Sequence, residues 1–125
     1  MPDPLPKRLL LSKYENMNRC SYIKNEEVSL DTLFELSEFF RIFGDTTRIR
    51  IIQLLMEHDV SVNDIADMLG LEQSVVSHQL RILRTANLVK PRREGRKMFY
   101  ALDDEHIGEI FNTGLTHILH KKKGK

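Results

Sequence analysis

This chain has a single cysteine, no long apolar run and almost no net charge, and each shortage removes a class of explanation. Cys20 alone can form neither an internal disulfide nor a thiolate zinc site, so neither oxidative staples nor a zinc finger accounts for stability. No apolar stretch approaches the roughly 20 residues that a membrane span needs. The opening MPDPLPKRLLLSKYENMNRC also lacks the apolar block and small-residue cleavage site of a signal peptide, so a cytoplasmic address is expected, with no membrane partner. A net charge of +1 gives no global signal for nucleic acid, and that argument must rest on where charge lies. Neither a nucleotide-binding glycine motif nor a nucleophile elbow is found, so neither an enzyme nor a small organic substrate is expected.

What remains is 125 residues, 41% hydrophobic and 30% charged, enough for one compact domain. Residues 1–24 hold three of the four prolines without a sustained period and read as a flexible N-terminal arm. Residues 25–121 read as the folded domain and 122–125 as a basic tail. From Ser29 the pattern turns helical, with Leu33, Leu36, Phe40 and Phe43 at three- and four-residue spacing up to Gly44. Asp45 can cap a second helix reaching about Glu57. Ser61 and Asp64 form a start signal for a short third helix that stops at Gly70, a residue suited to the left-handed conformation beyond a helix end.

A fourth helix, about Gln73 to Ala86, follows after a short turn, which is the helix-turn-helix pattern. Ser74, Ser77, His78, Arg81 and Arg84 fall within an arc of about 120°, while Val75, Val76, Leu80, Ile82 and Leu83 cover the other side. Leu88 to Leu102 reads as a two-stranded hairpin around the turn RREG, with a basic tip. From Arg81 to Lys97 there are seven Lys or Arg residues and a single acid, Glu94. A helix fits the major groove, where short or forked polar side chains read base edges; Gln73, Ser74, Ser77 and His78 qualify. Arg92, Arg93, Arg96 and Lys97, with Arg81 and Arg84, could meet the flanking phosphates. The fold expected is mainly α with a small β-hairpin, a winged helix-turn-helix that binds double-stranded DNA.

The segment DDEHIGEIFNTGLTHILH holds three of the five histidines. On one helix His106, His117 and His120 lie within about 60° of one another. His106 and His117 are nonetheless roughly 16 Å apart along the axis, whereas zinc–nitrogen bonds are about 2 Å, so one straight helix cannot place both on one ion. His117 and His120 can chelate together, and Asp104 with His106 can if Asp104 sits at the fraying first turn. A second copy packed antiparallel, with a two-fold axis near Asn112 or Thr113, would bring Asp104 and His106 of one chain to His117 and His120 of the other. Asp103 could substitute for Asp104. Three imidazoles and a carboxylate suit tetrahedral zinc or its mimic cobalt; nickel favours more ligands and is the second choice. Acids at a helix start and lysines at its end also suit the macrodipole, and a lone exposed histidine usually binds nothing, so the full spaced set carries the argument.

The run from Leu33 to Leu119, above all FRIFGDTTRIRIIQLL, SVVSHQLRILR and DDEHIGEIFNTGLTHILH, resembles the arsenic-repressor (ArsR/SmtB) family of metal-sensing repressors. The resemblance implies a homodimeric winged-helix repressor that holds an operator when metal-free and leaves it when metal binds. It also implies a zinc site at Asp104, His106, His117 and His120, through the family's Asp-x-His-(ten residues)-His-x-x-His pattern. A second family site, built on cysteines, is expected to be missing, because Ser61 stands at the matching helix position. The resemblance further suggests a link from His117 to the backbone near His78. His58 reads as surface. Two rivals remain: a regulator of this fold that senses no metal or responds through Cys20, and a zinc hydrolase, disfavoured because protein ligands would fill all four positions.

Overall fold

The computed structural model describes residues 27–124, so the expected arm and Cys20 lie outside the described residues. Their order is α1 (Leu30–Phe43), α2 (Thr46–Glu57), β1 (Val60–Ser61), α3 (Val62–Leu69), α4 (Gln73–Thr85), β2 (Val89–Glu94), β3 (Lys97–Leu102) and α5 (Glu105–Lys123). Helix-turn-helix and hairpin are therefore present as expected. Residues 27–38 belong to one compact unit and 39–124 to another.

Local chemistry accounts for the boundaries. The Ser29 hydroxyl accepts from the Thr32 N–H, the Asp45 carboxylate from Arg48 N, and the Ser61 hydroxyl from Asp64 N, each satisfying a donor that a helix start leaves open. Gly70 takes φ 67°, and the N–H groups of Gly70 and Leu71 bond back to Asp67 O and Ala66 O. Asn87 does the same for α4 at φ 63°, with its own N–H on Arg84 O and that of Leu88 on Leu83 O. Both helices of the helix-turn-helix thus end in the same left-handed lock. Lys122 and Lys123, expected in the tail, continue α5.

The core of the larger unit is formed by Ile51, Ile52 and Leu55 of α2, Ile65 of α3, Val76, Leu80 and Leu83 of α4, Leu88 and Val89 at the start of the hairpin, and Ile107 of α5. Each such fully buried aliphatic side chain contributes about 1.5–3 kcal/mol of transfer free energy. The sheet has three strands, not two, in the order β1-β3-β2 and antiparallel throughout. β1, missed in the sequence because two residues cannot show a period, pairs Val60 with Tyr100 and Ser61 with Phe99. Pairing on the other side runs to Glu94–Lys97, so only Gly95 and Arg96 form the loop, and Gly95 has φ 64° as a two-residue hairpin loop needs at its first position. Arg92 and Arg93, expected in the turn, are strand residues.

Of the recurrent apolar positions in α1 only Phe43 is buried; Leu33, Phe34, Leu36 and Phe40 are exposed. In α5 the first turns lie against α2, where a Cβ on Gly108 would meet Met56 Sδ at 3.1 Å. From Asn112 onward every described α5 residue is exposed, Leu115, Ile118 and Leu119 among them.

Candidate nucleic-acid interface and metal centre

The outer face of α4 carries Gln73, Ser74, Ser77, His78, Arg81 and Arg84, all exposed, while Val76, Leu80 and Leu83 are buried beneath it. Val75 departs from the expected apolar side: it is 40% exposed, on the flank between core and polar face. Alone among the described helices, α4 lacks a side-chain cap; Glu72 stands at that position without a cap hydrogen bond. The helix is held from behind by a residue the sequence did not single out. Arg48 of α2, only 15% exposed in its side chain, donates through Nε to Gln79 Oε1 at 2.8 Å and through a terminal nitrogen to Ile42 O at 2.9 Å. One guanidinium thus ties the end of α1 to α4. The sequence carried no signal for this role, because Arg48 is one of two arginines in α2 and Arg50, two residues on, is exposed.

In the hairpin Arg93, Arg96 and Lys97 are exposed, but Arg92 is engaged. Its Nε donates to Asp59 Oδ2 at 3.1 Å, a terminal nitrogen donates to Glu94 Oε2 at 2.6 Å, and its guanidinium lies 5.1 Å from the Phe99 ring centroid. The Glu94 hydrogen bond, then the Asp59 one, raises the Arg92 pKa above the ordinary arginine value, keeping the group charged.

On α5 the expected ligands fall at two ends. Asp104 is the N-cap, in an extended conformation (φ −155°, ψ 179°), so it lies outside the helical ladder. Its Oδ1 accepts from His106 N at 2.9 Å and lies 3.4 Å from His106 Nδ1. Carboxylate and imidazole therefore already converge, with Oδ2 of Asp104 left for another partner. Asp103, half-buried, uses its N–H on Leu88 O. His117 and His120 follow one turn apart on the exposed half of the helix. Among the described residues of one chain no three His, Cys, Asp or Glu side chains form a metal-binding group, and no hydrogen bond there joins His117 to α4. The donor set fits a borderline cation in count and type, provided both halves meet. Ser61, at the position where a cysteine was the alternative, spends its buried hydroxyl on capping α3.

A short helix-turn-helix, a polar outer face on its second helix and a hairpin with a basic tip define a winged-helix DNA-binding protein. Residues 45–90 match the family described as bacterial regulatory protein, arsR family. The chain is 35% identical over 103 residues, 82% of its length and 78% of the other's, to a Synechocystis protein named transcriptional repressor SmtB homolog. It is 31% identical over 84 residues, 66% of this chain and 69% of the other, to the cadmium resistance transcriptional regulatory protein CadC homolog of Staphylococcus aureus. The crystal structure of Mycobacterium tuberculosis Rv0081 superposes with a TM-score of 0.65 at 37% identity, covering 72% of this chain and 95% of that one. The chain belongs to the ArsR family, whose SmtB-type members are metal-sensing transcriptional repressors and not enzymes. No helix among the described residues is long and apolar enough to cross a membrane.

Proposed function

We propose that this protein is a cytoplasmic, zinc-responsive repressor that grips operator DNA as a metal-free homodimer and lets go when zinc, or cobalt in its place, bridges the two chains. The observation that carries the reading is the split ligand set of α5. A convergent Asp104–His106 pair stands at the N-cap, and the His117–His120 pair is displayed on a bare stretch near the other end. An antiparallel copy of α5 completes two tetrahedral sites at once. Two further features favour a partner chain: exposed Leu115, Ile118 and Leu119 on α5, and exposed Leu33, Phe34, Leu36 and Phe40 on α1. Apolar surface of that extent is usual where chains associate.

Reading of DNA falls to Gln73, Ser74, Ser77 and His78 in the major groove, with Arg81, Arg84, Arg93, Arg96 and Lys97 near phosphates. Zinc held between chains fixes the spacing of the two α4 helices, and a spacing that fits the operator poorly weakens DNA binding. By linkage, DNA weakens zinc binding by the same factor, typically about 1–3 kcal/mol. The direction of this coupling rests on the family resemblance. His117→Ala or His120→Ala is expected to abolish zinc-driven release in a gel-shift titration while leaving metal-free operator binding within about twofold of wild type, the size of a surface substitution. Equal loss of metal-free binding would refute the separation of sensing from reading.

A further inference from the structure

Strand pairing and alternation place Ser61, Phe99, Arg92 and Glu94 on one face of the sheet, and Asp59 joins them through its hydrogen bond from Arg92. Phe99 on the central strand β3 is opposite Ser61 on one side and Arg92 on the other. Glu94 follows Arg92 by two residues and so shares its face, and Asp59 precedes β1 by one residue. Arg92 reaches from β2 across the Phe99 ring to Asp59, spanning the width of the sheet, and its other nitrogen is held by Glu94. Across this sheet lies the β-pairing, the only one among the described residues, between the hairpin and the chain that runs through Ser61 directly into α3, the first helix of the helix-turn-helix. An isolated exposed ion pair contributes little. Here one planar fork meets two carboxylates and an aromatic face together, a geometry that lysine cannot reproduce.

We propose that Arg92 is a positioning residue, a brace anchored by Asp59 and Glu94 that sets the hairpin against the helix-turn-helix, and not a ligand of DNA phosphate. The phosphate contacts of the hairpin then come from Arg93, Arg96 and Lys97, whose charges face solvent. This rests on the winged-helix mode of DNA binding and is independent of which metal is sensed.

The two roles give opposite signs. Removing a carboxylate beside a polyanion strengthens binding if only charge matters, whereas removing an anchor of the brace weakens it. The test uses the full-length, metal-free protein and a fluorescent duplex selected by it from a random-sequence pool, with affinity followed as salt is raised. Arg93→Gln and Arg96→Gln are expected to flatten the log–log salt dependence by about 0.9 for each phosphate that is no longer neutralised. Arg92→Gln should lower affinity about two- to fivefold at every salt concentration without changing the slope, and Arg92→Lys should not restore it. Asp59→Asn and Glu94→Gln, near-isosteric and on exposed side chains, should each weaken binding while leaving the thermal midpoint of the fold within a few degrees. Tighter or unchanged binding by Asp59→Asn overturns the proposal. So does a slope loss in Arg92→Gln equal to that in Arg93→Gln, or rescue by Arg92→Lys. If the wild-type protein selects no sequence and shows no salt-dependent binding, the DNA-binding reading itself has failed, which is a separate result.

Discussion

Gly70 and Asn87 solve the same local problem with different residues. Each takes a positive φ so that the next residue's N–H can bond five residues back, to Ala66 O and Leu83 O. Glycine does this without a Cβ penalty, and asparagine is the side-chain-bearing residue that tolerates it best. Gly70→Ala is therefore expected to cost about 1–2 kcal/mol in a urea melt although nothing stands within 4 Å of the new Cβ, since the cost is conformational. Gln79→Ala removes a side-chain acceptor from the half-buried guanidinium of Arg48, and a loss of about 1.5–3 kcal/mol is expected from a charge-assisted bond of this kind. Glycine at Gly70 was legible in the sequence because its position after an apolar period announces a stop. Asn87 was not, since asparagine is common in loops of every conformation, and the Arg48 bridge was not, since its partners lie six and 31 residues away.

At the level of helices and strands, start and stop residues such as Asp45, Ser61 and Gly70, together with apolar periodicity, located α2, α3 and α4, whose buried positions include Ile51, Ile52 and Leu55, Ile65 and Ala66, and Val76, Leu80 and Leu83. Periodicity failed where an element was too short or its burial incomplete. β1 has two residues and is defined by pairing to β3, which no local pattern reveals. Leu33, Leu36 and Phe40 repeat as a core stripe would, yet stay exposed, because periodicity records that a face is apolar and not what covers it. The bare second half of α5 raises the same question. If these surfaces join two chains, Leu36→Asp or Leu119→Asp should convert the dimer to a monomer in sedimentation analysis. Zinc uptake should fall with it, although no ligand has been touched. A monomeric Leu119→Asp that still takes up zinc at full strength would dismiss the intersubunit site.

For the molecule as a whole, the proposed intersubunit ligand set makes a prediction about mixtures. When His106→Ala chains are paired with His117→Ala chains, one of the two sites in the mixed dimer loses both residues and the other loses neither. Such dimers, isolated through two different affinity tags, should bind one zinc each with near wild-type affinity, while either homodimer binds poorly. A site closed within one chain would predict no recovery. The argument that one chain falls short could be made from sequence, and among the described residues of one chain no three such side chains come together. Only the three-dimensional arrangement shows that Asp104 stands outside the helical ladder with its carboxylate turned toward His106.

Ser61 is at once the last residue of β1 and the cap of α3, so no linker separates the sheet from the first helix of the helix-turn-helix. A grip without slack cannot adjust itself to a duplex of slightly different twist or groove width; the duplex must deform instead. Two target sites with identical contacted bases but stiffer or softer uncontacted steps between them should therefore compete unequally for this protein, discriminated by the cost of bending alone.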